Sequence, residues 1–129
     1  MTRPQRVQRR RTRGWRTPTC SCGCGQPARY VGRPSRWGSP YEIVRRPGGV
    51  WQVWDGLVCS WRTPVCQAPT RAQAQEQAVR HYTRWLSHQP ALLEDARTHL
   101  TGHDLACWCP LGTPCHADVL LTVLNQGPA

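Results

Sequence analysis

The chain has 129 residues, 39% of them hydrophobic, with 11 glycines, 12 prolines, eight cysteines, seven tryptophans and no phenylalanine, which predicts a single loop-rich but globular domain rather than a disordered chain. It holds no run of about 18 apolar residues, and Met1-Thr2-Arg3-Pro4 has no apolar stretch behind its charges, so neither a membrane span nor a secretory leader is expected. The net charge is +10 and lopsided: residues 1–62 carry thirteen arginines against Glu42 and Asp55, and residues 63–129 carry four against five acids.

A reducing cytoplasm is the expected setting, and there closely spaced cysteines more often hold a metal or do thiol chemistry than form disulfides. The first half is the anion-facing half. Arg3, Arg6, Arg9, Arg10, Arg11, Arg13 and Arg16 fall in the basic segment 1–16 with no acid between them, a density that attracts phosphates by counterion release. The chain contains no lysine, which a coding bias explains more simply than selection for guanidinium chemistry.

In chain order, the Arg6–Arg13 stretch reads as a basic tail or an edge strand. A Cys/Gly turn follows, Cys20-Ser21-Cys22-Gly23-Cys24-Gly25. Ala28–Val31 reads as a short strand leading into the loop Gly32–Pro40. Residues 41–66 form a predicted β-meander with strands at Tyr41–Val44, Val50–Trp54 and Leu57–Trp61, separated by Pro47-Gly48-Gly49 and Asp55-Gly56. Trp51, Trp54 and Trp61 read as core or rim packing.

Residues 70–126 are the helical half. Thr70 and Gln73 have capping-box spacing, and Ala74, Ala78, Tyr82, Trp85 and Leu86 recur at helical intervals until Ser87-His88-Gln89-Pro90. A shorter helix runs from about Pro90, with Gly102 as its C-terminal stop. A buried strand is expected at His103–Trp108, and a last helix capped by Thr113 with Pro114 in its first position. This order predicts a mixed α/β or α+β layer structure with a short mixed sheet, an inserted β-meander and about three helices.

Chemistry concentrates in Asp104–Pro110 and Thr113–Asp118. On a strand, Cys107 and Cys109 project from one face; Cys115 and His116 follow in the first helical turn, where free N–H groups favour a thiolate. Cys107, Cys109, Cys115 and His116 have the ligand types of a tetrahedral zinc site, so zinc is the candidate cofactor. An activated Cys115 thiol or a His116/Asp118 acid-base pair is the enzymatic alternative, and buried thiols with hydrogen-bonded His116 and Asp118 the structural one. Cys20, Cys22 and Cys24, joined by Cys59 or Cys66, form a second, weaker metal candidate. In the Gly32–Pro40 loop, Arg33 and Arg36 are candidates to grip phosphate, Ser35 to hydrogen-bond and Trp37 to stack on a base. His81, His88, His99 and His103 have no metal-binding spacing and are expected at the surface or in packing.

The segments Gly32–Tyr41, Tyr82–Leu86, Leu105–Pro110 and Cys115–Leu120, with Val7–Arg11 to Gly14-Trp15-Arg16, resemble the bacterial and phage family known as domain of unknown function 4326 over nearly the whole chain. The resemblance implies no particular activity. It does imply that the basic N-terminal segment is a strand of the domain, and that the loop and the Cys/His segment, at opposite ends of the chain, build one composite pocket from Arg33, Ser35, Trp37, Cys107, Cys109, Cys115, His116 and Asp118. Ser39 and His103 stand where the family usually shows Asn and Lys, and the Cys20/Cys22/Cys24 turn and much of residues 45–68 look like additions. The leading expectation is a nucleotide or nucleic-acid phosphate bound in that pocket. A small enzyme on a nucleotide-like substrate and a partner-binding module are the alternatives.

Overall fold

A computed structural model describes residues 3–57 and 63–125. In chain order its elements are β1 (Arg6–Gln8), β2 (Arg29–Tyr30), β3 (Tyr41–Arg45), β4 (Trp51–Asp55), β5 (Cys66–Ala68), α1 (Arg71–Ser87), α2 (Pro90–Leu100), β6 (Leu105–Cys107) and α3 (His116–Asn125). The fold is a mixed α+β arrangement of two three-stranded sheets and three helices. Among the described residues no helix is long and apolar enough to cross a membrane.

The first sheet has the order β1-β6-β2, and both pairings are parallel. Leu105, Ala106 and Cys107 are all buried, as expected of a central parallel strand covered on both faces. β1 joins two ends of the chain: Arg6 pairs with Leu105 and Gln8 with Cys107. Among the described residues of the basic segment, only 6–8 form a strand.

The second sheet is an antiparallel meander in the order β3-β4-β5. Its first hairpin turns at Gly48 and Gly49, both at positive φ, where a side chain would be strained. Of the expected third strand at Leu57–Trp61, only Leu57 is among the described residues. Leu57 sits in a turn, Cys59 and Trp61 lie outside the described residues, and Cys66–Ala68 pairs with β4.

Helix α1 packs along the meander and against α2 and α3. Thr70 caps it, its hydroxyl accepting the Gln73 amide at 3.2 Å. Ala74 and Ala78 face Val53 and Ala68 of the meander, their small side chains admitting close approach. One and two turns on, Tyr82 and Leu86 enter the main core with Val31, Trp37, Leu100, Leu105, Leu120 and Leu124. α2 begins at Pro90 and ends before Gly102, whose φ of 82° makes the expected left-handed stop. α3 begins at His116, two residues later than the Pro114 start. Thr113 does not cap it; its hydroxyl and amide both bond to the Pro110 carbonyl, at 2.8 and 3.0 Å, closing a separate turn.

Candidate functional site

In an open parallel sheet the strand carboxyl ends are where loops can surround a ligand. Three segments leave β1, β2 and β6 at that edge: Arg9–Arg11, the Gly32 loop, and Trp108-Cys109. At Gly32 a Cβ would lie 2.5 Å from the Tyr30 hydroxyl, so the loop can turn tightly against Tyr30 only without a side chain there. The Tyr30 hydroxyl donates to the Arg33 carbonyl, and the Arg33-Pro34 bond is cis. The Arg9 amide donates to the Cys107 carbonyl at 2.8 Å. Its guanidinium stacks 4.5 Å from the Tyr30 ring centre and 4.8 Å from that of Trp108, and Arg11 stacks over Trp108 at 4.9 Å.

Beneath this stack lies a cavity of about 240 Å³, walled by Tyr30, Gly32, Arg33, Cys107, Trp108, Cys109 and His116, with Gln75 of α1 and Tyr41 of β3 opposite. A second hollow of about 520 Å³ shares Gln75, Trp108 and Cys109 with it and runs along Arg71 and Pro110–Pro114. Arg33 is held at the first cavity by Glu42 and by the Tyr41 carbonyl.

Behind the cavity the sulfurs of Cys107, Cys109 and Cys115 lie within 4.8 Å of one another, a group that could hold a metal ion. The Cys107 and Cys109 sulfurs are 3.8 Å apart. Hydrogen bonds from Cys107 and Cys109, with His116 beside it, hold the Cys115 thiol well below the ordinary range, while hydrogen bonds with Cys107 and Cys115 push Cys109 up. His116 is not one of the mutually close group, although its Nδ1 is 3.8 Å from the Cys115 sulfur. Its Nε2 is 2.8 Å from the Val31 carbonyl. A carbonyl only accepts, so Nε2 carries a proton and donates it to Val31, which leaves Nδ1 as the nitrogen turned toward the Cys115 sulfur and the one a metal would take.

The expected eight-residue convergence is corrected in part. Arg33, Cys107, Cys109 and His116 share the cavity wall, and Cys115 completes the sulfur cluster. Asp118 instead pairs with Arg6 at 3.4 Å, and burial pushes its carboxyl up against the pull of that guanidinium. His116 and Asp118 thus have separate partners rather than each other. Trp37 is a core residue whose carbonyl accepts the Tyr82 hydroxyl at 2.9 Å. Arg36 stacks over Trp37 at 4.3 Å and pairs with Asp95 of α2. The Ser35 hydroxyl is buried and has no hydrogen-bond partner among the described residues. Tyr30, Trp108 and Gln75 are among the cavity residues that sequence reasoning missed, as is Arg9 in the stack on Tyr30 and Trp108. β6 ends at Cys107, so Trp108 lies just past the strand and lines the same cavity as Cys107 and Cys109.

The second sulfur cluster is at the other end of β6. Cys20, Cys22, Cys24 and His103 place their ligand atoms within 4.8 Å of one another, and this group too could hold a metal ion. His103 thus joins the three cysteines in this group, where Cys59 or Cys66 was expected; Cys59 lies outside the described residues. Cys66 lies on β5 against the meander core. Contact with Cys20 and Cys24 pushes the Cys22 thiol up to about 11, while the Gln26 amide lowers Cys24.

The family model described as domain of unknown function (DUF4326) matches residues 7–126, so the chain belongs to that family. No curated protein and no solved structure matches the chain.

Proposed function

From this DUF4326 membership, which carries no activity with it, we propose that the protein binds a nucleotide or nucleic-acid phosphate at the carboxyl edge of its parallel strands, in a reducing cytoplasm. The observation that carries the reading is the Arg9 guanidinium stacked on Tyr30 and Trp108 over a cavity that also contains Arg33. Flat rings offer stacking to a base of any identity, worth about 1–3 kcal/mol each, and guanidinium forks suit phosphate oxygens. Arg11 and Arg9 supply the charge at the mouth, and Arg33, pre-oriented by Glu42, supplies it at the wall. The second hollow, about 520 Å³, falls in the range of small-ligand pockets, roughly 300–1,000 Å³, and the adjoining first one, about 240 Å³, lies just below it. In this reading Cys107, Cys109, Cys115 and His116 hold zinc and so stiffen the wall.

The test is a titration of labelled single-stranded DNA and RNA, and of mononucleotides, across salt concentrations. Binding should weaken steadily with salt, and Arg9→Ala and Arg11→Ala should each reduce the slope by about one. Trp108→Leu should weaken binding by about tenfold or more with little change in slope. Salt-insensitive or absent binding to every probe would sink the proposal. Cys115 is fully buried, which disfavours the alternative of a thiol nucleophile; selective alkylation of Cys115 near neutral pH would revive it.

A further inference from the structure

We propose that Cys20, Cys22, Cys24 and His103 form a second zinc site, structural and separate from the cavity, that fastens the N-terminal Cys/Gly turn to the head of β6. With zinc bonds of about 2.3 Å to sulfur and about 2.0–2.1 Å to nitrogen, a tetrahedral site has S···N edges of about 3.6 Å. The three sulfurs lie 3.6, 3.5 and 3.9 Å from His103 Nδ1, in the order Cys20, Cys22, Cys24. The ligand atoms thus already stand near the corners of such a tetrahedron.

The chain is built to bring them there. Alternate residues on an extended strand are nearly 7 Å apart, too far for one ion. Gly23 and Gly25, at φ of 86° and 78°, curl the turn so that the alternating sulfurs converge, and glycine adopts those angles without strain. Backbone amides supply the outer shell that thiolate ligands need. The Asp104 amide donates to the Cys20 sulfur at 3.2 Å, and the Gln26 amide to the Cys24 sulfur at 3.4 Å. Asp104 in turn accepts the Ser21 amide and hydroxyl, each at 2.8 Å, and the Gln5 amide at 2.9 Å. These bonds lock the turn, β1 and β6 into one register. Binding would release the three thiol protons and leave four protein ligands with no open position, the mark of a structural rather than a catalytic zinc.

The test is the zinc content, by native mass spectrometry, of the full chain purified without chelator. The expected load is two zinc ions if the cavity cluster also binds one, with Cys22→Ser losing one and Cys109→Ser losing the other. Loss on Cys22→Ser but not on Cys109→Ser would support this site and reject zinc at the cavity. An unchanged load in both Cys22→Ser and His103→Phe would overturn the proposal, as would a wild-type chain that is two hydrogens lighter and metal-free, which indicates a disulfide. Cys22 is exposed, so its replacement disturbs no packing. If Cys22→Ser nevertheless fails to fold, His103→Cys decides: it should keep the metal and shift the thiolate-to-cobalt absorption of the cobalt-substituted protein, and an unshifted spectrum would overturn the proposal.

Discussion

Tyr82 shows how one side chain joins the loop to the core. It is fully buried, its hydroxyl donates to the Trp37 carbonyl across 45 residues of chain, and its ring meets the His116 ring edge-on at 5.2 Å. Tyr82→Phe keeps the ring but strands a buried carbonyl, so we expect a loss of about 1–3 kcal/mol in urea melts at neutral pH. Burial also pushes the Tyr82 phenol above its ordinary value of 10.0. The native state then keeps a proton that the unfolded chain releases. The stabilisation is complete below about pH 10 and is lost as pH rises, by up to about 1.4 kcal/mol per unit. Melts from about pH 8 to about pH 11 should therefore fall more steeply for the wild type than for Tyr82→Phe. Parallel curves would show that Tyr82 ionises without cost.

At the scale of elements, the shortest strands carry the longest-range ties. Arg6, on the three-residue β1, has a side chain only 6% exposed and donates to the carbonyls of Pro110, Leu111 and Thr113 at 3.1, 2.6 and 2.9 Å. It shapes the loop between Cys109 and Cys115. Arg6→Met, which keeps the stem, should cost roughly 1.5–3 kcal/mol for the charged hydrogen bonds, with little added by the half-exposed Asp118 partner. Hydrogen exchange at the Thr113 amide should accelerate, while Arg11→Met, which removes only a surface stack, should change stability by less than about 0.5 kcal/mol. Equal effects from both variants would make Arg6 one more member of a basic patch. That is how the sequence reads: seven arginines in sixteen residues look alike until one is found to have partners more than a hundred positions away. Helices α1 and α2 were legible because their signals are local, a Thr70/Gln73 cap with residues at 74, 78, 82 and 86, and a Pro90 start with a Gly102 stop. The pairing of Cys107 with Cys109 was legible for the same reason. The late start of α3 was not, since it follows from Thr113 turning back on Pro110. Nor was β5, whose Cys-Gln-Ala carries little strand preference.

Across the whole molecule, β6 ties the two sulfur clusters together, with His103 just before it and Cys107 at its end. The second cluster was half visible in the Cys20/Cys22/Cys24 alternation, but His103 lies 79 to 83 residues further along the chain and is brought to it by the parallel pairing of Arg29 with Leu105 and the Asp104 bonds to Ser21. If both clusters hold zinc, each anchors one end of the same three-residue strand, and the two cannot act independently. Losing either metal frays β6 and displaces ligands of the other, so part of each single loss is borrowed from the neighbouring site. The midpoint losses of Cys22→Ser and Cys109→Ser, measured by thermal denaturation in excess zinc, should therefore sum to more than the loss of the double variant. Chelator should bring the wild type down to the double variant, because metal affinity is folding free energy here. Amide exchange at Leu105 and Ala106 should rise in the same order as the midpoints fall. Strict additivity would mean that β6 holds its place without the metals and the clusters are independent; a chelator-insensitive midpoint would mean that neither cluster stabilises the fold through metal.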